Sequence, residues 1–269
     1  MASSDLHSLA GQTAIVTGSS SGIGEATARE LARAGADVVI NFHGSDREAD
    51  SVVADIRALG RRAIKIAADV SNEADVIDMF DEAETELGPI DIVVSNAGVQ
   101  KDAPLTEMSL DDWNMVIGVN LTGAFLVGRE AVRRFRQKGL REDVSPALGK
   151  LVFDSSVHQL IPWAFHVNYA ASKGGVDMLM RSIAQEVAAE KIRVNSIAPG
   201  AIATAINADE RENHRDAMLK LIPYGRIGEA ADVGRTVAWM VCDAADYLTG
   251  QTIFLDGGMT LYPGFKGNG

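Results

Sequence analysis

The chain has 269 residues, 46% of them hydrophobic, with 37 acidic against 25 basic side chains and a formal net charge of −12. That apolar content excludes a disordered chain, and the acidic balance argues against nucleic acid or an anionic membrane as partner. A single cysteine, Cys242, excludes an internal disulfide, and "MASSDLHSLAG" has neither the basic nor the apolar region of a secretion signal, so a cytoplasmic protein is expected.

Short apolar runs alternate with amphipathic ones along the chain. "TAIVT" (13–17) reads as a buried strand, and "GEATARELARAGA" as a helix with Ala26, Leu31 and Ala34 on one face. "DVVIN" is a second strand, followed by a helix "EADSVVADIRALG" that Gly60 ends. "RAIKIAAD" is a third strand, "EADVIDMFDEAETELG" a third helix, and "IDIVVSNAG" a fourth strand. A long helix is predicted over 109–138, then a strand "KLVFDSS", a helix over 168–189 and a strand "IRVNSIAPG". Two shorter helices and a strand "QTIFLDGG" follow. No run approaches the ~20 apolar residues of a membrane span. Alternating strand and helix, with strands apolar throughout, predicts an α/β fold of the Rossmann type: a doubly wound parallel sheet with helices on both faces. There is no linker, and the polar segment 137–150 reads as a loop, so a single domain is expected over 1–269. Its dinucleotide-binding half spans about 10–100 and its catalytic and substrate-binding half about 101–269.

"VTGSSSGIGEATA" leaves the first strand and opens the first helix, with Gly18, Gly22 and Gly24 spaced G-x3-G-x-G. One glycine permits a tight exit from the strand, one a close approach of backbone to pyrophosphate, one close helix–sheet packing. The spacing resembles the T-G-x-x-x-G-x-G turn of the short-chain dehydrogenase/reductase family, and further family motifs follow in order. They are Asp69-Val70, "SNAG" with Ser95 in place of an Asn, Asn120, Ser156, Tyr169, Lys173, and "PGAIAT" at 199–204. The resemblance covers nearly the whole chain. It implies that Thr17, Gly18, Ser20, Ser21, Gly22, Ile23 and Gly24 hold the pyrophosphate end of NAD or NADP. It also implies cofactor contacts by Asp69 and Val70, by Asn96, Ala97 and Gly98, and by Pro199, Gly200, Ile202 and Thr204.

Between Ser155 and Lys173 the sequence holds no acid, so if the stretch forms an active site a phenol is expected to act as the acid or base. Tyr169 and Lys173 are four apart on one helical face. A free phenol titrates near about 10; a neighbouring ammonium and an oxidised nicotinamide favour the phenolate, which can take an alcohol proton as hydride leaves. Ser156 would donate to the reacting oxygen. By resemblance, Tyr169 and Lys173 also touch the cofactor, Lys173 at the nicotinamide ribose, and Asn120 holds a water behind Lys173. These four residues are the expected catalytic set.

Asn41 and His43 stand at the end of the second strand, where NAD enzymes often carry an acid for the ribose hydroxyls; the absence of that acid favours acceptance of NADP, alongside NAD. The segment "SSVH…IPW…YAASKGG", with "NLTGAF" and "DGGMTLYPGF", resembles bacterial glucose 1-dehydrogenases. This implies oxidation of β-D-glucose or a related aldose at C1, with Gln100, Ser156, His158, Trp163 and Asn207 around the sugar. Gln100 and Glu210 depart from that pattern. Reduction of 3-oxoacyl thioesters or small ketones, and a non-catalytic nucleotide-sensing protein, are the alternatives. Five scattered histidines without H-E-x-x-H or a cysteine cluster give no metal site. The family resemblance implies a homotetramer, with the tail around Tyr262 and Phe265 against a neighbouring subunit.

Overall fold

The computed structural model describes residues 5–44, 46–204 and 215–261. In chain order these form β1 (Thr13–Val16), α1 (Gly22–Arg33), β2 (Asp37–Phe42), α2 (Arg47–Ala58), β3 (Ala63–Ala67), α3 (Glu73–Leu87) and β4 (Ile92–Ser95). Then come α4 (Leu110–Ile117), α5 (Gly123–Lys138), β5 (Gly149–Asp154), α6 (Val167–Val187), β6 (Ile192–Pro199), β7 (Ile202–Ala203), α7 (Arg215–Lys220), β8 (Gly228–Glu229), α8 (Ala230–Val241) and β9 (Thr252–Leu255). Seven strands pair in the order β3-β2-β1-β4-β5-β6-β9, all parallel. Every residue of β1, β2 and β6 is buried, as a sheet covered on both faces requires.

Alternation along each strand divides the core. Ile15, Val39, Val93, Leu151 and Phe153 pack with Phe80, Phe135 and Met180 of α3, α5 and α6. Val16, Ile40, Val94 and Val152 pack on the other side with Leu31, Val53, Val237 and Met240 of α1, α2 and α8. The chain leaves β1 toward β2 on one side, while β4 lies on the other. The strand order therefore reverses there, which opens a crevice beyond the carboxyl ends of β1 and β4.

Two expectations change. The helix over 109–138 is not uniform: a π-helical turn, Gly118–Thr122, separates α4 from α5. By length and composition the run Leu110–Lys138 is also apolar enough to cross a membrane, contrary to the reading that no such stretch exists; 56% of that window is buried inside the fold. Leu126, Val127 and Phe135 of α5 sit in the core, so it is a core helix. The loop read over 137–150 is present between α5 and β5, and it is tied down. Lys138 and Arg141 both pair with the buried Asp91, and Ser145 Oγ donates to Asp243 at 2.8 Å.

Candidate active site

At the crevice the turn after β1 is held from within. Gly18 and Gly22 take φ of 61° and 60°, a region open to glycine. A Cβ on Gly24 would overlap the Gly18 carbonyl oxygen and lie 2.5 Å from Asn96 Nδ2, so close packing alone demands glycine. Asn96 Nδ2 donates to the Thr17 and Gly18 carbonyls at 2.8 and 3.1 Å, and Thr17 Oγ1 accepts from the N–H groups of Asn96 and Ala97. Asn41 Oδ1 accepts from Gly18 N at 3.0 Å while its Nδ2 donates to the Ala68 carbonyl at 3.1 Å. The carboxamides of Asn41 and Asn96 are thus spent on the turn itself. For Asn41 this corrects the expectation of a ribose contact: it is 1% exposed, and its carboxamide is already occupied. His43 is exposed just beyond β2. Ser21 stands at the N-cap of α1 without a side-chain capping bond, which leaves the first N–H groups and the positive end of the helix dipole for an anion. Thr204 lies against Gly22, its Cγ2 3.7 Å from where a Cβ would stand, so the segment after Pro199 reaches the same turn. The turn fits a dinucleotide pyrophosphate. Asp69 differs from a free ligand group: its Oδ1 accepts from the Ser71 N–H and hydroxyl, which hold its carboxyl below the ordinary range.

The four expected catalytic residues are knitted together by neighbours. Asn120, in the π turn, accepts from Val99 N at 2.8 Å and donates to Val99 O at 3.0 Å and to Ser172 Oγ at 3.2 Å. Ser172 Oγ in turn donates to the Tyr169 carbonyl at 2.7 Å. Lys173 is buried, its Nζ 5.6 Å from the centre of the Tyr169 ring and donating to the Asp154 carbonyl at 2.7 Å. Ser156 Oγ accepts from His158 N at 3.2 Å. That contact takes one lone pair and leaves the hydroxyl hydrogen to be donated outward. The Asn168 carboxamide seats the start of α6 by donating to the Lys101 and Asp112 carbonyls.

Beside Tyr169 stands a pile of three rings. Trp163 stacks on His158 at 4.1 Å and on His166 at 3.6 Å between centroids. Two rings so close to one centroid cannot share a face without overlapping, so they cover opposite faces of the indole. Trp163 therefore presents an edge, 6.0 Å from the Tyr169 ring, rather than the flat wall expected for a sugar. His158 Nδ1 donates to the Ile161 carbonyl at 3.1 Å, a bond that needs the hydrogen on Nδ1. Burial holds the His158 imidazole below its ordinary range. Leu160 and Phe165, on the connection from Ser156 to Tyr169, are 65% and 62% exposed, and Phe165 is held at φ 70° while its carbonyl accepts from Ala103 N. Gln100 is exposed, and Asn207 lies outside the described residues, as do Glu210, Tyr262 and Phe265.

Sequence reasoning missed two titratable groups. His166 lies 3.5 Å from Asp102 and completes the ring pile. Asp154 immediately precedes the stretch read as free of acids, and its Oδ1 is buried without a hydrogen-bond partner. The visible signal was a carboxylate closing the apolar run of a strand, "LVFD". A hollow of about 530 Å³ lined by Tyr224, Asp232, Trp239 and Asp256 lies elsewhere, with none of Ser156, Tyr169 and Lys173 in its wall.

Residues 18–260 match the family described as enoyl-(acyl carrier protein) reductase. The chain is 43% identical to 3beta-hydroxysteroid dehydrogenase 1 of Eggerthella lenta over 260 residues, covering 96% of this chain and 97% of that protein. It is 42% identical to glucose 1-dehydrogenase 2 of Bacillus subtilis over 257 residues, covering 95% and 97%. Among solved structures, a gluconate 5-dehydrogenase from Burkholderia cenocepacia in complex with NADP and tartrate superposes with a TM-score of 0.87 at 35% identity, covering 96% of this chain and 98% of that one. Glycine turn, parallel sheet and these matches agree: the chain belongs to the short-chain dehydrogenase/reductase family, whose members are oxidoreductases that use NAD(P).

Proposed function

We propose that the protein moves a hydride between NADP, alongside NAD, and a secondary alcohol on an apolar ring skeleton, of the hydroxysteroid class. The observation that carries the substrate class is the covered indole. With both faces of Trp163 taken by His158 and His166, the indole offers no open face to a sugar ring, and the neighbouring connection offers Leu160 and Phe165 to solvent. Exposed apolar side chains at a site's mouth fit a ligand that brings apolar surface of its own. The 43% identity to a 3beta-hydroxysteroid dehydrogenase supports the same class.

A bound nicotinamide supplies the hydride acceptor. The chain does the rest: Ser156 donates its free hydrogen to the substrate oxygen, and Tyr169 takes the hydroxyl proton as the carbonyl forms. Lys173, held by the Asp154 carbonyl, keeps a positive charge near the phenol. Asn120 fixes the backbone behind them through Val99 and Ser172. The missing acid after β2 supports NADP, since no carboxylate there repels a 2′-phosphate.

A second reading, oxidation of glucose or a related aldose at C1, is favoured by the 42% identity to a glucose 1-dehydrogenase. Absorbance at the reduced-nicotinamide band, with NAD and NADP against 3β-hydroxysteroids, aldoses and an acetoacetyl thioester, separates them. Turnover with the steroid at least ~10-fold above glucose in kcat/KM is expected. Turnover confined to aldoses would replace the first reading by the second, and a strong NAD preference would remove the NADP assignment.

A further inference from the structure

Asp154 closes β5 at the crevice, and three features set it apart from a solvated carboxylate. The first is its face. Leu151 and Phe153 point into the core beneath α5 and α6, whereas Val152 joins the core on the α1 and α8 side. By the same alternation Asp154 falls on the side where the glycine turn opens α1. The second is its isolation: Oδ1 is closed off from solvent and has no hydrogen-bond partner, although buried polar oxygens nearly always have one. The third is its neighbourhood. The Lys173 ammonium donates to its main-chain carbonyl, not to its carboxyl. Lys173 is the charge that acts on it from α6, with the Tyr169 phenol beyond. From the 3-10 turn Val157–Gln159 come the Ser156 hydroxyl at its start and His158, whose imidazole burial holds below its ordinary range. The β6 residue paired with it is Ile197, and β4 ends at Ser95 with Asn96 following, none of them ionisable.

No side chain among the described residues bonds the Oδ1 of a carboxylate so placed, and alternation sets it on the glycine-turn side of the sheet, next to Ser156 and Lys173. We propose that Asp154 is a positioning residue for the nicotinamide end of the cofactor: its carboxylate favours the positively charged oxidised ring over the neutral reduced one, and binding of the oxidised form drives its ionisation. This rests on the reading that a nicotinamide dinucleotide lies in the crevice with its redox end near Tyr169 and Lys173. Burial pushes the Asp154 carboxyl up to about 6, with Lys173 drawing it down, so the group is poised to lose a proton when a second positive charge arrives. Binding of oxidised cofactor then releases a proton near pH 6, while binding of the reduced form does not.

The test compares dissociation constants of oxidised and reduced cofactor in the full-length protein, by calorimetry and by nicotinamide fluorescence, from pH 5 to pH 8. In the wild type the preference for the oxidised form should rise about tenfold over that range, the consequence of a one-unit shift. In Asp154→Asn the ratio should be flat with pH and lower by about tenfold at pH 8, with Asp154→Ser as a second variant that removes the carboxyl differently. Histidines and cofactor phosphates are common to all three proteins, so the difference between wild type and variants isolates the Asp154 carboxyl. Variants that bind both forms with the wild-type ratio and pH dependence overturn the proposal alone. Wild-type protein that binds neither form overturns the nicotinamide reading with it.

Discussion

At the level of single residues, Tyr169 is surrounded by groups that tune and place it rather than by a carboxylate partner. Its ring meets Lys173 at 5.6 Å, Trp163 at 6.0 Å and His158 at 6.3 Å. Tyr169→Phe keeps all three ring contacts and removes only the phenolic oxygen. It should bind cofactor as the wild type does and lose at least ~10²-fold in kcat, measured in steady state against a fluorescence titration of cofactor. Asp154 makes a prediction about stability without any ligand. Its carboxyl is raised by burial to about 6 from an ordinary 3.8. An acid raised in the folded state costs nothing well below its unfolded value, destabilises increasingly as pH climbs from there to the folded value, and costs a constant amount above it. Asp154→Asn should therefore be neutral at pH 4 and more stable than the wild type by about 3 kcal/mol at pH 8, read by denaturant unfolding of the cofactor-free protein.

Among the elements, the α4–α5 run shows how a helix is bent to a purpose. A uniform α-helix was the expectation because the apolar pattern runs on through "VIGVNLTGAFLV" without a proline. The π turn at Gly118–Thr122 instead brings the Asn120 carboxamide onto both backbone groups of Val99. The periodicity of a sequence does not register a single wide turn, since it shifts the face by a fraction of a turn only. Asn120→Ala would leave the Val99 N–H and carbonyl without that partner. A loss of roughly 2–4 kcal/mol is expected. Because Ser172 and the Tyr169 carbonyl lie on the same chain of bonds, kcat should fall while cofactor affinity holds. Unchanged thermal unfolding would show that Val99 finds other partners.

For the whole molecule, the sheet ends on β9, which among the described residues pairs with β6 alone and so leaves one backbone edge open there. Near that end Trp239 of α8 is 43% exposed, and on the opposite flank Leu110, Met115 and Phe125 of α4 and α5 are 71%, 50% and 42% exposed. We propose that these two faces associate to form the homotetramer that the family resemblance implies. Light scattering on a sizing column should give four copies for the wild type and a smaller assembly for Phe125→Glu. A monomeric wild type would refute the assembly.

Alternating strands and helices, the glycine turn and the order of Asn120, Ser156, Tyr169 and Lys173 were legible in the sequence because each depends on local rules. Period two or 3.6 sets the element, a positive φ demands glycine, and four residues on a helix share a face. What lay beyond it depends on groups far apart in the chain meeting in space. Asn41 and Asn96 bind the turn across 23 and 78 positions. Trp163 is hidden by rings on either side, and Asp154 Oδ1 lacks a hydrogen-bond partner because no donor of the described residues reaches it. Sequence determines which chemical groups are available and on which element they ride. Only packing decides which of them are already satisfied by the protein and which are left for a ligand, because a hydrogen bond or a covered face is a property of pairs.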